Sequence, residues 1–137
     1  MSVTLAQNIS FFDQRVDIGF VIECAQIAGI HHEISEMTMG YDSLVGDMGS
    51  ALSGGQKQRI LLARALYRKP KILFMDEATS HLDSCLERKI TGAIASLQMT
   101  RITIAHRRET ILSADRVMEL KNGTLLDVTH LFRREIL

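Results

Sequence analysis

Residues 52–77 read LSGGQKQRILLARALYRKPKILFMDE, and this stretch decides the fold. Ser53 and Gln56 have the S-x-x-Q spacing of a capping box, which predicts that a helix begins here. Apolar residues follow at helical spacing, basic residues close the last turn, and Pro70 ends the helix. The predicted apolar stripe consists of Ile60, Leu61, Ala63, Leu66 and Tyr67.

Gly54 and Gly55 directly follow the predicted cap residue Ser53. A helix that starts with a serine and two glycines has several backbone N–H groups that are unpaired and sterically open, and the helix dipole adds positive potential there. Such a start predicts an anion site. Taken alone, the same residues fit equally well a capped helix with a flexible entry and no ligand. The neighbouring segments are needed to choose between the two interpretations.

The apolar run Ile72–Met75 is followed by two acids, Asp76 and Glu77. This pattern predicts a buried strand that delivers two carboxylates at its C-terminal end, where open α/β sheets place their ligand sites. Asp76 can help to hold Mg²⁺, and Glu77 can act as a general base toward water. A strand that simply ends in polar residues is the competing interpretation.

Two further polar segments follow along the chain. Residues 80–83 read SHLD, and His106 comes directly after a second predicted strand. A histidine at a strand end can donate a hydrogen bond to a developing phosphate charge, although a purely structural histidine fits the same position.

Outward from this stretch, helices alternate with apolar strands, which predicts an α/β fold with partly parallel strands. Asp17 is a predicted helix cap, Gly29 a predicted helix stop, and Asn122-Gly123 a predicted hairpin turn. The other predicted elements are helices over 17–29, 32–37, 84–97, 110–114 and 130–136, strands over 71–75, 101–105, 116–120 and 124–128, and a loop over 40–55.

The composition describes one soluble globular domain. The chain has 137 residues, of which 46% are hydrophobic and 23% charged, and its formal net charge is zero. The zero charge argues against a uniformly basic nucleic-acid binder. No apolar run exceeds four residues, so neither a membrane span nor a signal peptide is predicted. Cys24 and Cys85 are predicted to be reduced, and the pair His31-His32 is not predicted to bind a metal.

The charges are segregated along the chain. Residues 1–47 contain seven acids and one base, residues 48–75 contain six bases and no acid, and the remainder is balanced. The basic segment surrounds residues 52–56 and could attract a polyanion, although a solvated helix face is expected to explain most of its charges.

Together and in this order, these segments resemble the nucleotide-binding domain of ABC transporters. LSGGQ is similar to the ABC signature, ILFMDE to the Walker B motif, SHLD to the D-loop and His106 to the switch histidine. Residues 42–53 resemble the loop before the signature of exporters, in which residues 45–47 would face the membrane subunit. From Thr4 to the Asn122-Gly123 hairpin, the chain resembles peptidase-containing exporters of the bacteriocin and colicin V type.

The resemblance implies two such domains that sandwich ATP head to tail. Ser53, Gly54, Gly55 and Gln56 would bind the ATP that the partner domain holds, with the γ-phosphate at the serine and glycines. The further implied partner is an ABC transmembrane domain at the cytoplasmic face of the bacterial inner membrane. The chain would be peripheral there, would reach the membrane only through that partner, and would bind no nucleic acid.

The remaining roles also follow from the resemblance. Glu77 would polarise the attacking water and Asp76 would hold Mg²⁺ through water. His106 would contact the γ-phosphate, and Asp83 would signal across the dimer. The implied cofactors are ATP and Mg²⁺.

The main departure from the family pattern is the Walker A motif. No Gly-Lys pair occurs in the 137 residues, so the chain matches the part of the domain that follows the Q-loop. His81 and the pair Arg107-Arg108 are smaller departures. The implied fold is a partial P-loop NTPase domain, with a mostly helical subdomain over 1–52 and the signature helix, Walker B, D-loop, switch and C-terminal hairpin over 53–137.

We therefore expect a fragment of an exporter ATPase that hydrolyses ATP negligibly on its own, unless Met1 is not the true start. A catalytically inactive interaction module that pairs with an intact subunit is the first alternative. A gene remnant without a folded product is the second. A soluble ABC ATPase that works on DNA is a third, which the neutral charge and the exporter-like loop disfavour.

Overall fold

The structure is a computed structural model that describes residues 3–45, 52–76 and 82–133. It confirms the predicted α/β class, and the chain divides into two compact units, 1–102 and 103–137. The helices are α1 (Leu5–Ile9), α2 (Ile18–Ile27), α3 (His31–Ser35), α4 (Gly54–Tyr67), α5 (Ser84–Ala95), α6 (Arg108–Leu112) and α7 (Thr129–Arg133), and the strands are β1 (Ile72–Asp76), β2 (Thr100–Ile104), β3 (Met118–Lys121) and β4 (Thr124–Asp127).

Most predicted elements are present, with ends shifted by one or two residues. Asp17 caps α2 as predicted, because its carboxylate accepts a hydrogen bond from the Phe20 N–H at 3.0 Å. Gly29 follows α2 with a φ of 69°, the left-handed conformation that favours glycine at a helix end. Helix α1 was not predicted. The predicted loop over 40–55 contains a 3₁₀ turn at Gly40–Asp42, its residues 46–51 lie outside the described residues, and its last two residues belong to α4.

The core of the first unit lies where α4 packs against α1 and α2. The side chains of Leu5, Ile9, Val21 and Ile34 are almost completely buried in it. The backbone N–H of Asp17 also donates to the hydroxyl of Tyr67 at 3.2 Å, which ties the start of α2 to the end of α4. Helix α4 is therefore held along its length by the helices that precede it.

The buried apolar stripe of α4 contains Leu62 in place of the predicted Leu61, and the predicted Tyr67 is only half-buried. Leu62 is buried, whereas Leu61 is 58% exposed. The reason is the helical period, since Arg59, Leu62, Ala63 and Leu66 have the i, i+3, i+4, i+7 spacing of one face. The helix ends at Tyr67, so the basic residues predicted in its last turn follow the helix instead.

Strands β1 and β2 are hydrogen-bonded neighbours, but the prediction of a buried strand at β1 is wrong. Leu73 is buried, whereas Ile72 and Phe74 are 52% and 72% exposed. Successive side chains of a strand point to opposite faces, so the face with Leu73 joins the helical core. Within the described residues, the opposite face of this strand is not covered.

The second unit contains the predicted hairpin. Strands β3 and β4 pair antiparallel, from Met118 opposite Asp127 to Lys121 opposite Thr124. Asn122 and Gly123 have φ values of 50° and 76°, and two positive φ values in a two-residue loop are typical of a type I′ turn. Helix α7 is described as far as Arg133, so the end of the predicted last helix lies outside the described residues. In the described part of the chain, no helix is long and apolar enough to span a bilayer.

Candidate functional site

The start of α4 is the centre of the candidate site. The Gln56 N–H donates to Ser53 Oγ at 3.1 Å, and the Ser53 N–H donates to Gln56 Oε1 at 2.8 Å. Both bonds of the predicted capping box are therefore present, and the Lys57 N–H donates to the Ser53 carbonyl at 3.0 Å. The first turn of α4 is fixed by its own side chains.

The N–H groups of Gly54 and Gly55 lie in that first turn. The first N–H groups of a helix have no carbonyl partner four residues earlier, and neither glycine carries a side chain that could cover its N–H. The Ser53 hydroxyl already accepts from Gln56, so its own proton can be donated outward. The arrangement offers hydrogen-bond donors at the positive end of a helix of 14 residues, which suits an anion.

A network of side chains joins this first turn to α3. Gln56 Nε2 donates to Glu33 Oε2 at 2.8 Å, and Arg59 Nη1 donates to Glu33 Oε1 at 2.5 Å. Arg59 also donates to the carbonyls of Gly29 and Gly55, at 2.7 and 3.2 Å. Burial raises the pKa of Glu33, but the hydrogen bonds from Arg59 and Gln56 outweigh it and hold the pKa below its ordinary value.

Three basic residues of the 48–75 segment lie close to aromatic rings. The guanidinium of Arg64 lies 4.3 Å from the centre of the Phe11 ring, and that of Arg68 lies 5.3 Å from the same ring. The Lys69 ammonium lies 4.4 Å from the Phe20 ring. Arg59 is buried and Arg64 is half-buried, whereas Lys57, Arg68, Lys69 and Lys71 are exposed, as expected if a solvated face explains most of these charges.

The other predicted site residues lie on three different elements. Asp76 is the last residue of β1 and is exposed, whereas Glu77 and residues 78–81 lie outside the described residues. Asp83 is the N-cap of α5, where its Oδ1 accepts from the N–H groups of Cys85 and Leu86 at 3.0 and 2.9 Å. His106 is exposed, follows β2 and belongs to the second unit.

Of the predicted site residues, the structure thus places Ser53, Gly54, Gly55 and Gln56 together at one helix start. Among the described residues, no three His, Cys, Asp or Glu side chains cluster as metal ligands. Glu33 and Arg59, which hold the first turn of α4 through hydrogen bonds, were not predicted from the sequence. Their only signal was an acid and a base on two predicted helices, 26 residues apart.

A profile of the ABC transporter family matches residues 2–80, which include the capped start of α4 and strand β1. The chain belongs to the ABC transporter family. Residues 52–56 are accordingly called the signature from here on. The predicted resemblance to this family is confirmed.

Curated relatives narrow the comparison within the ABC transporters. The chain is 50% identical over 119 residues to the colicin V secretion/processing ATP-binding protein CvaB and to the probable microcin-H47 secretion/processing ATP-binding protein MchF, both from Escherichia coli. Each alignment covers 87% of this chain and 17% of the relative. The chain therefore spans about a sixth of the length of these relatives.

A solved ABC transporter structure supports the fold. The chain is similar to a bacterial Atm1-family ABC exporter with ATP bound, with a TM-score of 0.84 and 35% sequence identity. The match covers 98% of this chain and 24% of the exporter chain. The prediction of a partial ABC ATPase domain is therefore confirmed at the level of the fold.

Proposed function

We propose that this chain is part of the ATP-binding and ATP-hydrolysing subunit of an ABC exporter for bacteriocin- or toxin-like peptides. The relatives at 50% identity are named for secretion of colicin V and microcin H47. The observation that carries the proposal is the capped start of α4, which offers the donors of Ser53, Gly54 and Gly55 to an anion. In this proposal, ATP hydrolysis powers transport across the membrane.

The nucleotide would be held between two domains. Ser53, Gly54 and Gly55 would bind the γ-phosphate of an ATP that lies in the Walker A motif of a second nucleotide-binding domain. These residues fit an anion, because they combine open N–H groups, a hydroxyl proton and the positive end of a long helix. Gln56 would contribute by closing the cap rather than by direct contact, since its amide already bonds Ser53 and Glu33.

The second half of the proposed site concerns the nucleotide that the same subunit would hold. Bound Mg²⁺ would neutralise phosphate charge, and the exposed carboxylate of Asp76 would hold it through water. Glu77 would accept a proton from the attacking water, and His106 would donate a hydrogen bond to the γ-phosphate. Asp83 would pass the state of one site to the other, from its position at the N-terminus of α5.

The proposed partners are an ABC transmembrane domain and a second nucleotide-binding domain in a head-to-tail dimer. The chain would lie at the cytoplasmic face of a bacterial inner membrane and reach it only through the transmembrane partner. Residues 45–47 would face that partner, and all but Val45 of this segment lies outside the described residues.

Association with an intact domain tests the anion site. The purified chain is mixed with the nucleotide-binding domain of the colicin V relative, with and without ATP and Mg²⁺, and complex formation is measured by analytical ultracentrifugation. We expect ATP-dependent association that Ser53→Arg abolishes, because the arginine removes the cap and fills the anion site. Ser96→Arg is the matched control, since Ser96 is an exposed serine at the end of α5. No association in ATP, or an equal loss in both variants, would refute the proposal.

A second candidate function is a non-catalytic module that offers the signature to an intact subunit. Its basis is that the capped start of α4 is complete within this chain and could be offered to a second domain. Positioning supplies most of the catalysis in phosphoryl transfer, and these 137 residues contain no Gly-Lys pair, so they are expected to hydrolyse ATP negligibly when purified without further segments. ATPase assays of the wild-type chain and of Glu77→Gln distinguish the two candidate functions. ATP turnover that is lost in Glu77→Gln would contradict the non-catalytic module. A sharp cooperative thermal melt would argue against an unfolded gene remnant.

A further inference from the structure

We infer that Glu33 is a positioning residue for the signature, because its carboxylate ties both Gln56 and Arg59 to α3. The inference rests on the proposed function, in which the first turn of α4 binds the γ-phosphate of ATP. It assigns a role to a residue outside every motif that the sequence contains. Glu33 would set the direction of the donors at Gly54 and Gly55 without touching the nucleotide.

The two oxygens of Glu33 hold two different residues of α4. Oε2 accepts from Gln56 Nε2 at 2.8 Å, and Oε1 accepts from Arg59 Nη1 at 2.5 Å. Gln56 and Arg59 are three residues apart and therefore lie on the same side of the helix. A carboxylate that bridges them restrains both the rotation of α4 about its axis and the tilt of its first turn.

Gln56 transmits this restraint to the glycines. Its Oε1 accepts from the Ser53 N–H at 2.8 Å while its Nε2 donates to Glu33. One amide group thus connects the cap residue before Gly54 to the carboxylate on α3. Without the acceptor on Glu33, the amide can rotate, and the cap loses the side chain that closes it.

Arg59 also restrains the Glu33 side chain. The side chain is 8% exposed, and its Nη1 also donates to the carbonyl of Gly29 at 2.7 Å. A buried guanidinium needs a paired carboxylate, so it holds Glu33 in one conformation. The Glu33 side chain itself is 36% exposed, so the burial of this ion pair is on the arginine side.

Helix α3, which carries Glu33, is anchored in the core of the first unit. Ile30, directly before α3, and Ile34 within it are completely buried in the core. The position of Glu33 between them is therefore set by the packing of the first unit's core. The orientation of the signature is coupled to this core through three side chains.

The same helix turn provides a matched control. Glu36 is an exposed carboxylate next to α3, and its Oε2 lies 3.5 Å from Nδ1 of His32. Glu36→Gln removes the same charge as Glu33→Gln at a distance of three residues. A general effect of charge on the domain changes both variants, whereas a positioning effect changes only Glu33→Gln.

The first measurement follows the glycines directly. The amide resonances of Gly54 and Gly55 are compared by NMR in the wild-type chain, Glu33→Gln and Glu36→Gln. We expect Glu33→Gln to shift both resonances and Glu36→Gln to leave them in place. Unchanged glycine resonances in a folded Glu33→Gln chain would overturn the inference. This measurement needs no partner and remains decisive even if the proposed function fails.

The second measurement is ATP-dependent association with the intact domain of the colicin V relative. We expect Glu33→Gln to weaken it about tenfold, because the loss of a hydrogen bond to a charged group reaches this size. Glu36→Gln should associate like the wild type. If Glu33→Gln associated as strongly as the wild type, the inference would be overturned. If the wild type itself did not associate, only the proposed function would be refuted.

A double variant keeps the test valid if Glu33→Gln unfolds the chain. Glu33→Gln with Arg59→Met removes the buried charge together with its partner, which is often neutral for stability. The folded double variant should show the shifted glycine resonances and the weakened association. Wild-type behaviour in both measurements would overturn the inference.

Discussion

The helices of the first unit and the β3–β4 hairpin of the second unit use their apolar residues in opposite ways. Ile9 and Val21 are completely buried, whereas Leu120 and Leu125 of the hairpin are 72% and 60% exposed. Among the described residues, none after Ile94 is buried. The comparison teaches that burial holds the first unit together, while turn geometry and hydrogen bonds define the hairpin.

The largest expected effect comes from removing core volume. Ile9→Ala should lower the free energy of unfolding by about 2–5 kcal/mol, because it leaves a cavity among residues that cannot fully collapse. Leu120→Ala should change it by less than about 0.5 kcal/mol, because this side chain is already in water. Urea unfolding followed by circular dichroism measures both. Similar losses of unfolding free energy in the two variants would contradict the difference in burial between the two units.

Two glycines with the same backbone conformation sharpen the contrast. An alanine Cβ at Gly29 would lie 3.1 Å from Leu86 Cδ1, whereas at Gly123 it would meet no atom within 4 Å. Both changes carry the left-handed penalty of about 1–2 kcal/mol, and only Gly29→Ala adds a packing cost, for a total of about 2–3 kcal/mol.

Urea unfolding measures the Gly29→Ala variant, and amide hydrogen exchange in β3 and β4 measures Gly123→Ala. The Gly123→Ala loss should stay within the hairpin. If Gly123→Ala costs as much as Gly29→Ala, packing at α5 does not distinguish the two glycines, and the contrast between the units is weaker than described.

The hairpin should respond to acid. Hydrogen bonds from Thr129, and then from Arg116, lower the pKa of Asp127 from its ordinary value of 3.8 to about 2. A lowered carboxyl pKa contributes stability that is present above the ordinary value and is lost as the pH falls toward about 2.

NMR of the Thr129 amide between pH 6 and pH 2 measures this loss. Asp127→Asn should remove the pH dependence in this window, since the asparagine does not titrate. The amides of the buried helix α2 serve as the internal control. A wild-type Thr129 amide that titrates like that of an unfolded peptide would contradict the prediction.

The smallest expected effect concerns the reactivity of the two cysteines and does not change the stability of the fold. Burial, and then the charge of Glu23, raises the pKa of Cys24 to about 11, whereas Cys85 is exposed. At pH 8 only about 0.1% of the Cys24 thiol would be ionised, and the thiolate is the reactive form. A thiol reagent should therefore label Cys85 quickly and Cys24 only after unfolding. Mass spectrometry of peptides after a short pulse checks this, and equal labelling would show that the α2 core opens readily.

Local features of the fold could be predicted from the sequence. The Ser53–Gln56 box, the Asp17 cap and the Asn122-Gly123 turn each depend on residues a few positions apart, so their spacing carries the information. The signature was predicted for the same reason. The family profile and the relatives then confirmed the family that these motifs indicated.

Features that depend on distant residues could not be predicted. Phe74 is exposed because of what covers each face of β1, and an apolar run does not show how many faces are covered. Glu33 and Arg59 meet because α2, α3 and α4 pack in one particular way. Neither Glu33 nor Arg59 belongs to a sequence motif, so only the structure shows that they contact the first turn of α4.

The hydrogen bond from Asp17 to Tyr67 has a consequence for synthesis on the ribosome. The two residues are 50 positions apart, and translation proceeds at about 5–20 residues per second. The ribosome therefore needs about 3–10 s after Asp17 to add Tyr67. Helix α2 therefore leaves the ribosome before α4 is there to pack against it, so a chaperone can bind its apolar face in the meantime.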